Sequence, residues 1–109
     1  MWYWAEYSTF SISDEVGKYQ LTVAGYRGTA GDAMMSASHP LYCANGMLFS
    51  TWDSDNDEYP GASCAGLNGS GWWHGYCSTN DVNRVGDAIW TPGSPVYDVQ
   101  ASRLLVKLD

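Results

Sequence analysis

Polar and apolar residues alternate in two short runs near the start of the chain. Phe10 and Ile12 alternate with Thr9, Ser11 and Ser13, and the stretch from Trp2 onward is aromatic and extended, which is the two-residue period of a strand. Asp14-Glu15-Val16-Gly17 reads as a turn. From Lys18 to Ala24 the alternation resumes, with Tyr19, Leu21 and Val23 on one face, so the two runs predict an antiparallel hairpin. Ala30 to Ser38 predicts one short helix with Met34 and Met35 packed inward, ended by Pro40. Met47 to Thr51 is short and apolar, and predicts a strand. Ser102 to Leu108 predicts a closing strand. Residues 53–95 keep no sustained period and are rich in Gly, Asp, Asn, Ser and Trp. So long an aperiodic stretch in a small domain is usually functional or tied down by a ligand.

The chain has 109 residues with 5 Lys and Arg against 12 Asp and Glu, for a formal net charge of −7. Its length is that of one domain, small enough to benefit from a disulfide or a metal. Phosphate neutralisation and polybasic membrane attachment both need clustered cations, so neither a duplex nucleic acid nor a charged membrane surface is expected as a partner. No apolar run approaches the ~20 residues of a spanning helix, and no leader pattern opens the sequence at Met1. Leu, Ile, Val and Phe are only 18 of the 109 residues, but 6 Trp and 8 Tyr compensate. Each buries a large area and carries one polar handle. Twelve Gly and four Pro add turns. The profile is that of a loop-rich extracellular domain held by aromatics.

Three cysteines stand at 43, 64 and 77. Closing a loop of the size between Cys64 and Cys77 would stabilise the fold by ~3 kcal/mol, although spacing alone does not assign a bridge. A zinc finger is disfavoured, because there is no CxxC and His74 lies too close to Cys77. Cys43 reads either as a buried thiol or as an intermolecular bridge, and nothing marks a Cys43–His74 catalytic pair. The glycine-rich bend from Gly25 to Asp32 lacks both the GK[ST] ending and the GxGxxG spacing of phosphate loops.

Asp53-Ser54-Asp55-Asn56-Asp57-Glu58 gathers four acids in six residues. A divalent cation would relieve their repulsion, and an all-oxygen ligand set suits calcium and not zinc. The Asp-x-Asp-x-Asp spacing matches the start of an EF-hand loop. The match then fails, with Glu58 where that loop needs Gly and Cys64 where it needs the bidentate Glu. A calcium loop of another kind and a solvated acidic turn both remain open on composition.

Lys18 to Val23, Gly25-Tyr26, Gly28 to Met34, Gly46 to Asp53, Asp55-Asn56-Asp57, Cys64-Ala65 and Gly71-Trp72-Trp73 through Cys77 follow one another in this order. The series resembles the C-terminal half of the fibrinogen-related domain of fibrinogen chains, ficolins, tachylectins and angiopoietins. The resemblance implies an α+β fold: a small antiparallel sheet with a short helix plus a loop-rich calcium-binding subdomain. It implies a single domain over 1–109, with the sheet in about 1–52 and 99–109 and the calcium and pocket loops in about 53–98. It also implies Ca2+ held by the carboxylates of Asp55 and Asp57 and by the carbonyls of Tyr59 and of Gly61 or Ala62, with Asp53 helping through water. A Cys64–Cys77 disulfide belongs to the same pattern. So does a ligand pocket of Asn68, Trp73, His74, the Tyr76–Cys77 peptide, Ser78 and Tyr97, where an apolar seat and fixed N–H donors suit an acetyl group.

Three positions depart from the family pattern: Ser78 replaces a common His, Asn83-Arg84 replaces Asn-Gly, and Gly86 replaces a Tyr. Taken singly, Trp72 is expected in the core, Trp73 half-exposed, and both His74 and Arg84 at the surface. The implied function is a secreted, non-catalytic lectin of innate immunity that binds acetylated glycans, with homo-oligomers supplying avidity. The alternative is a protein or peptide module without sugar binding. An enzyme is disfavoured, because Asp53, Asp55 and Asp57 sit on one loop where glycosidase carboxylates converge from opposite sides of a cleft. The half-domain would leave a sheet surface open, and dimerisation is the expected way to cover it.

Overall fold

The computed structural model describes residues 2–35, 40–77, 80–84, 88–91 and 99–108. The expected hairpin forms. Strands β1 (Ala5–Ile12) and β2 (Leu21–Gly28) pair antiparallel, with Ile12 opposite Leu21, Phe10 opposite Val23 and Tyr7 opposite Tyr26. The connection is longer than the alternation suggests. Tyr19 lies in it and not on the strand face, because Lys18 and Tyr19 both take left-handed conformations (φ +57° and +55°). Such residues cost roughly 1–2 kcal/mol each. The turn is held by the Asp14 carboxylate on the Gly17 N–H (2.9 Å) and by the Lys18 N–H on the Glu15 carbonyl (2.9 Å). Its two strained carbonyls then reach inward. Lys18 O accepts from the Phe49 N–H (3.0 Å) and Tyr19 O from the Trp73 indole N–H (2.9 Å).

In β2 Leu21 and Val23 are buried and Tyr26 is half-buried, and Gly25 before it is exposed with a φ of +72°. A side chain there would strike Ser8 on the facing strand. Tyr7, opposite Tyr26 and in ring contact with it, packs against the core. That core is Leu21, Val23, Met34, Ala44 and Trp72, flanked by Tyr7, Trp73, Val82 and Trp90.

Over its described part, residues 30–35, the predicted helix at 30–38 is an irregular stretch ending in a turn at 33–35, with Met34 buried and Met35 exposed. Ser36 to His39 lie outside the described residues. A short 3-10 turn follows at Pro40–Tyr42. The predicted strand Met47–Thr51 reduces to bridges from Ser50 to Trp72 and from Thr51 to Ser54. The one described α-helix, α1 (Cys64–Asn68), lies elsewhere. Ser63 caps it by accepting from the Gly66 N–H, and left-handed Gly69 closes it. Strands β3 (Asn80–Asp81) and β4 (Ile89–Trp90) form a second, minimal antiparallel pair. The predicted closing strand does not form. Residues 101–108 run without regular structure, Leu104, Leu105, Val106 and Leu108 are exposed, and among the described residues the Val99–Ala88 bridge is the one strand-type pairing near that end. The aromatic start, Trp2, Tyr3 and Trp4, is likewise exposed. No described helix is long and apolar enough to cross a membrane.

Candidate functional site

Alternation also orders the acidic loop. Asn56 turns inward: its N–H donates to the buried Ser50 hydroxyl (2.9 Å), and its amide donates to the Phe49 carbonyl (3.0 Å) and to Ser54 Oγ (3.3 Å). Asp55 and Asp57 on either side are thereby placed together. Asp57 is held by two backbone donors, the Tyr59 N–H on Oδ1 (2.9 Å) and the Cys64 N–H on Oδ2 (2.7 Å). Asp55 Oδ1 accepts from the Asp57 N–H (3.2 Å). Burial, reinforced by the neighbouring Asp55 carboxylate, pushes the Asp57 carboxyl above the usual carboxylate range despite those backbone donors. Asp53 stands apart at the tip of the 51–54 turn, with its Oδ1 taken by the Thr51 hydroxyl (2.7 Å).

Two carboxylates set side by side are an all-oxygen donor pair whose repulsion a hard cation would relieve, so Asp55 and Asp57 fit Ca2+. No three His, Cys, Asp or Glu side chains converge among the described residues. Carbonyls and water would therefore complete the shell, as calcium accepts. Among the described residues the Tyr59 carbonyl receives a single long bond, 3.5 Å from the Ala62 N–H, and so has capacity to spare. Exposed Gly61 and half-buried Ala62 follow in the same turn.

The disulfide of Cys64 and Cys77 joins α1 to the segment that would carry the pocket. Cys43 stays outside it, with its thiol on the Met35 carbonyl (2.8 Å) and not on His74. Glu58 N–H donates to Gly75 O (3.0 Å), and the Tyr59 and Tyr76 rings stack at 4.4 Å between centroids, 5° from parallel. The acidic loop and the disulfide segment thus share one aromatic face, on which Tyr76 is 40% exposed.

Of the other expected pocket walls, the described Trp73, His74 and Asn68 turn to partners within the fold. Trp73 is half-buried, as its neighbours suggested, but its ring packs against Phe10, Phe49 and Trp72. His74, expected at the surface or as a pocket wall, is fully buried. Its Nε2–H faces the Ser70 carbonyl (3.2 Å) and lies 3.8 Å from Asp81 Oδ2, while Nδ1 is a buried atom without a hydrogen-bond partner among the described residues. Asn68 turns its amide to Asp81 Oδ2 (3.3 Å). Trp72 is core, as expected. Arg84 is exposed. Ser78, Tyr97 and Gly86 lie outside the described residues.

Sequence reasoning missed Asp81 and Asn80, both fully buried. Asp81 also accepts from the Ser70 hydroxyl and the Asn83 N–H (3.1 Å). Asn80 accepts from the Trp72 indole N–H (2.8 Å) and donates to Ala33 O (2.6 Å). The sole signal was an Asn-Asp pair in a stretch otherwise short of buried-type residues.

Comparison with known proteins agrees with this architecture. The family described as fibrinogen beta and gamma chains, C-terminal globular domain, matches residues 2–93. Mouse fibrinogen-like protein 1 is 40% identical over 85 residues, which cover 74% of this chain and 27% of that protein. The human fibrinogen gamma chain is 42% identical over 89 residues, covering 74% of this chain and 19% of that one. The chain therefore spans about a quarter or less of the length of these curated relatives. Among solved structures, the fibrinogen-like globe domain of human ANGPTL6 is similar with TM-score 0.65 at 31% identity, over 84% of this chain and 36% of that one. The lamprey fibrin D-dimer, complexed with the peptide Gly-His-Arg-Pro-amide, is similar with TM-score 0.69 at 33% identity, over 84% of this chain and 30% of that one. The motif series, the disulfide and these matches agree: the chain belongs to the fibrinogen C-terminal globular domain family.

Proposed function

We propose that this chain is a secreted, non-catalytic recognition module that binds a short cationic peptide on the Tyr59–Tyr76 face, with Ca2+ at Asp55 and Asp57 ordering that face. The observation that carries the reading is the Tyr59–Tyr76 stack, which ties the acidic loop to the disulfide segment and leaves an aromatic surface open beside carboxylates. A cation gains from both aromatic faces and acids. The net charge of −7 draws such a ligand in. The lamprey relative crystallised with a His- and Arg-containing peptide supports the same class of partner. The disulfide suits an oxidising, extracellular compartment.

A second reading keeps the site and changes the ligand to an acetylated glycan. It is favoured by the 40% exposed Tyr76 ring next to Cys77, where a sugar or methyl face can stack. Single-site binding would then be weak, and several copies of the chain would be needed for avidity.

One titration separates the two. Gly-His-Arg-Pro-amide and N-acetylglucosamine are each added to the isotope-labelled protein, in calcium and in EDTA. The peptide reading expects amide shifts at Tyr59 and Tyr76 with the peptide, weaker in EDTA and lost in Tyr76→Ala. Shifts with the sugar alone transfer the site to the second reading. Silence from both ligands on a folded, calcium-loaded protein refutes the site.

A further inference from the structure

Two of the chain's three arginines rest on tryptophans. The Arg27 guanidinium lies 5.9 Å from the centre of the Trp4 ring, and that of Arg103 lies 5.8 Å from the centre of the Trp2 ring. A guanidinium stacks on an indole face and keeps its charge there. Trp52 is more exposed than either of those rings, at 79%, and among the described residues no cation lies over it. It stands at the tip of a turn closed by the Thr51 N–H on Ser54 O (3.0 Å) and the Ser54 N–H on Thr51 O (3.1 Å). Asp53 follows it, and Asp55, Asp57 and Glu58 come next along the loop. With Ca2+ on Asp55 and Asp57, the exposed Asp53 and Glu58 still carry charge. Trp52 and Asp53 form one wall of a groove of about 370 Å³, and Ala65, Gly66 and Gly69 form the other. None of the lining residues is basic, and none belongs to the Tyr59–Tyr76 face.

The same chain carries a segment of matching chemistry. Residues 101–108 are exposed throughout and lie in no helix or strand. Arg103 and Lys107, two of the five basic residues, enclose Leu104, Leu105 and Val106, all of them largely exposed. Among the described residues neither cation forms an ion pair, and Arg103 rests on the Trp2 ring. Trp52 offers the same kind of ring with a carboxylate beside it, oriented by the Thr51 hydroxyl on Asp53 Oδ1 (2.7 Å). In an extended chain alternate residues share a side, so Arg103, Leu105 and Lys107 form one edge about 13 Å long. A net charge of −7 makes copies of this chain repel one another in general. The cationic edge is the part of the surface that an acidic loop attracts, and it sets where two copies can meet.

We infer that the Trp52 groove takes the 101–108 segment of a second copy of this chain. The Arg103 guanidinium stacks on the indole and meets Asp53, Leu105 lies against the α1 wall, and Lys107 adds its attraction to the acidic loop. Groove and segment are different surfaces, so the contact is heterologous. Each added copy still presents one groove and one segment, and association runs on into open chains instead of closing as a dimer. A segment of this size buries less than the ~1,200 Å² of stable complexes. The association is therefore weak, with a Kd on the order of 100 μM.

The test is sedimentation velocity of the wild-type chain in calcium, from about ten times below to ten times above that Kd. The mean sedimentation coefficient rises with concentration and passes the value of a dimer. Trp52→Ala, which spoils the groove, and Arg103→Glu with Lys107→Glu, which spoils the segment, each weaken self-association by about tenfold or more. All three side chains are exposed, so both variants keep the wild-type amide spectrum away from the altered residues. Mixing the two variants restores one intact contact, and the mixture forms a one-to-one pair that grows no further. In that mixture the Trp52 indole N–H and the amides of residues 65–71 of the isotope-labelled Arg103→Glu, Lys107→Glu copy shift. A synthetic peptide of residues 101–108 gives a second reading without variants: it shifts the same signals of the wild type and breaks up its assemblies. A wild type that stays monomeric, variants that associate as the wild type does, a mixture that fails to pair, or shifts confined to Tyr59 and Tyr76 each overturn the inference. Gly-His-Arg-Pro-amide reads out at Tyr59 and Tyr76, so failure of the peptide proposal leaves these readouts independent.

Discussion

Replacing Asp57 by Asn separates what this side chain does for the fold from what it does for calcium. The carboxylate accepts two backbone N–H groups, from Tyr59 at 2.9 Å and Cys64 at 2.7 Å. An amide has one acceptor oxygen, so one of these donors loses its partner. A hydrogen bond to a charged group contributes ~1.5–3 kcal/mol. Against that, the raised Asp57 pKa means that its charge is disfavoured in the fold, first by burial and then by Asp55. Neutralising it recovers part of the loss. The net expectation in EDTA at pH 7 is a destabilisation of about 1 kcal/mol, or roughly 4 °C in Tm for a domain of this size.

Calcium should add far more. An ion at 100 times its Kd stabilises the wild type by about 2.7 kcal/mol, roughly 10 °C by the same scaling. Asp57→Asn should gain none of it. The pH dependence carries a definite sign. A carboxyl with a raised folded pKa contributes stability that is present below the ordinary carboxylate value and is lost as pH rises through the folded value. Protons and calcium compete for that carboxylate, so the calcium increment shrinks as pH falls toward 4. The assay is a set of calorimetric melts of both proteins in calcium and in EDTA, from pH 4 to pH 7. An equal calcium-induced rise in wild type and variant, or a wild-type rise that does not change with pH, refutes the reasoning.

Other consequences are open to the same kind of measurement. Trp72→Phe strands the fully buried Asn80 carbonyl oxygen and leaves a void, so urea unfolding should show a loss of about 2–4 kcal/mol; a loss below about 1 kcal/mol would mean that the pair is not formed. Replacing Cys64 and Cys77 together by Ser removes the only described disulfide and should cost ~3 kcal/mol, checked by urea midpoints of the two proteins under non-reducing conditions. The Tyr7 hydroxyl donates to Asp32 at 2.7 Å, and burial, then that carboxylate, push its pKa upward. The folded chain thus keeps this proton at a pH where the unfolded chain releases it, so stability falls as pH rises above about 10. Tyr7→Phe should flatten that alkaline limb of a Tm-against-pH curve, and an unchanged limb would assign it to another group.

Local pattern made part of this protein legible. The two-residue period at Phe10–Ile12 and Leu21–Val23 is a property of neighbouring residues, and the hairpin follows it. The acidic run at 53–58 and the series through Gly71-Trp72-Trp73 and Cys77 were likewise readable in order along the chain, and they pointed to the family that the comparisons show. Period failed where its partner was far away. Residues 102–108 have a strand-like composition, but none of the described strands lies beside them to accept them.

The candidate site divides along the same line. Which residues are acidic, aromatic or sulfur-bearing was determined by the sequence alone, and so was the alternation that sets Asp55 and Asp57 on one side of Asn56. Which of them meet a ligand was decided by tertiary packing. Trp73 was drawn to the hairpin by the strained carbonyl of Tyr19, 54 residues away. His74 was drawn inward beside Asp81, and Asn80 bridges Trp72 to Ala33, 47 residues distant. A buried polar group must find its partner wherever the fold brings one within hydrogen-bond reach, and no local pattern records that distance.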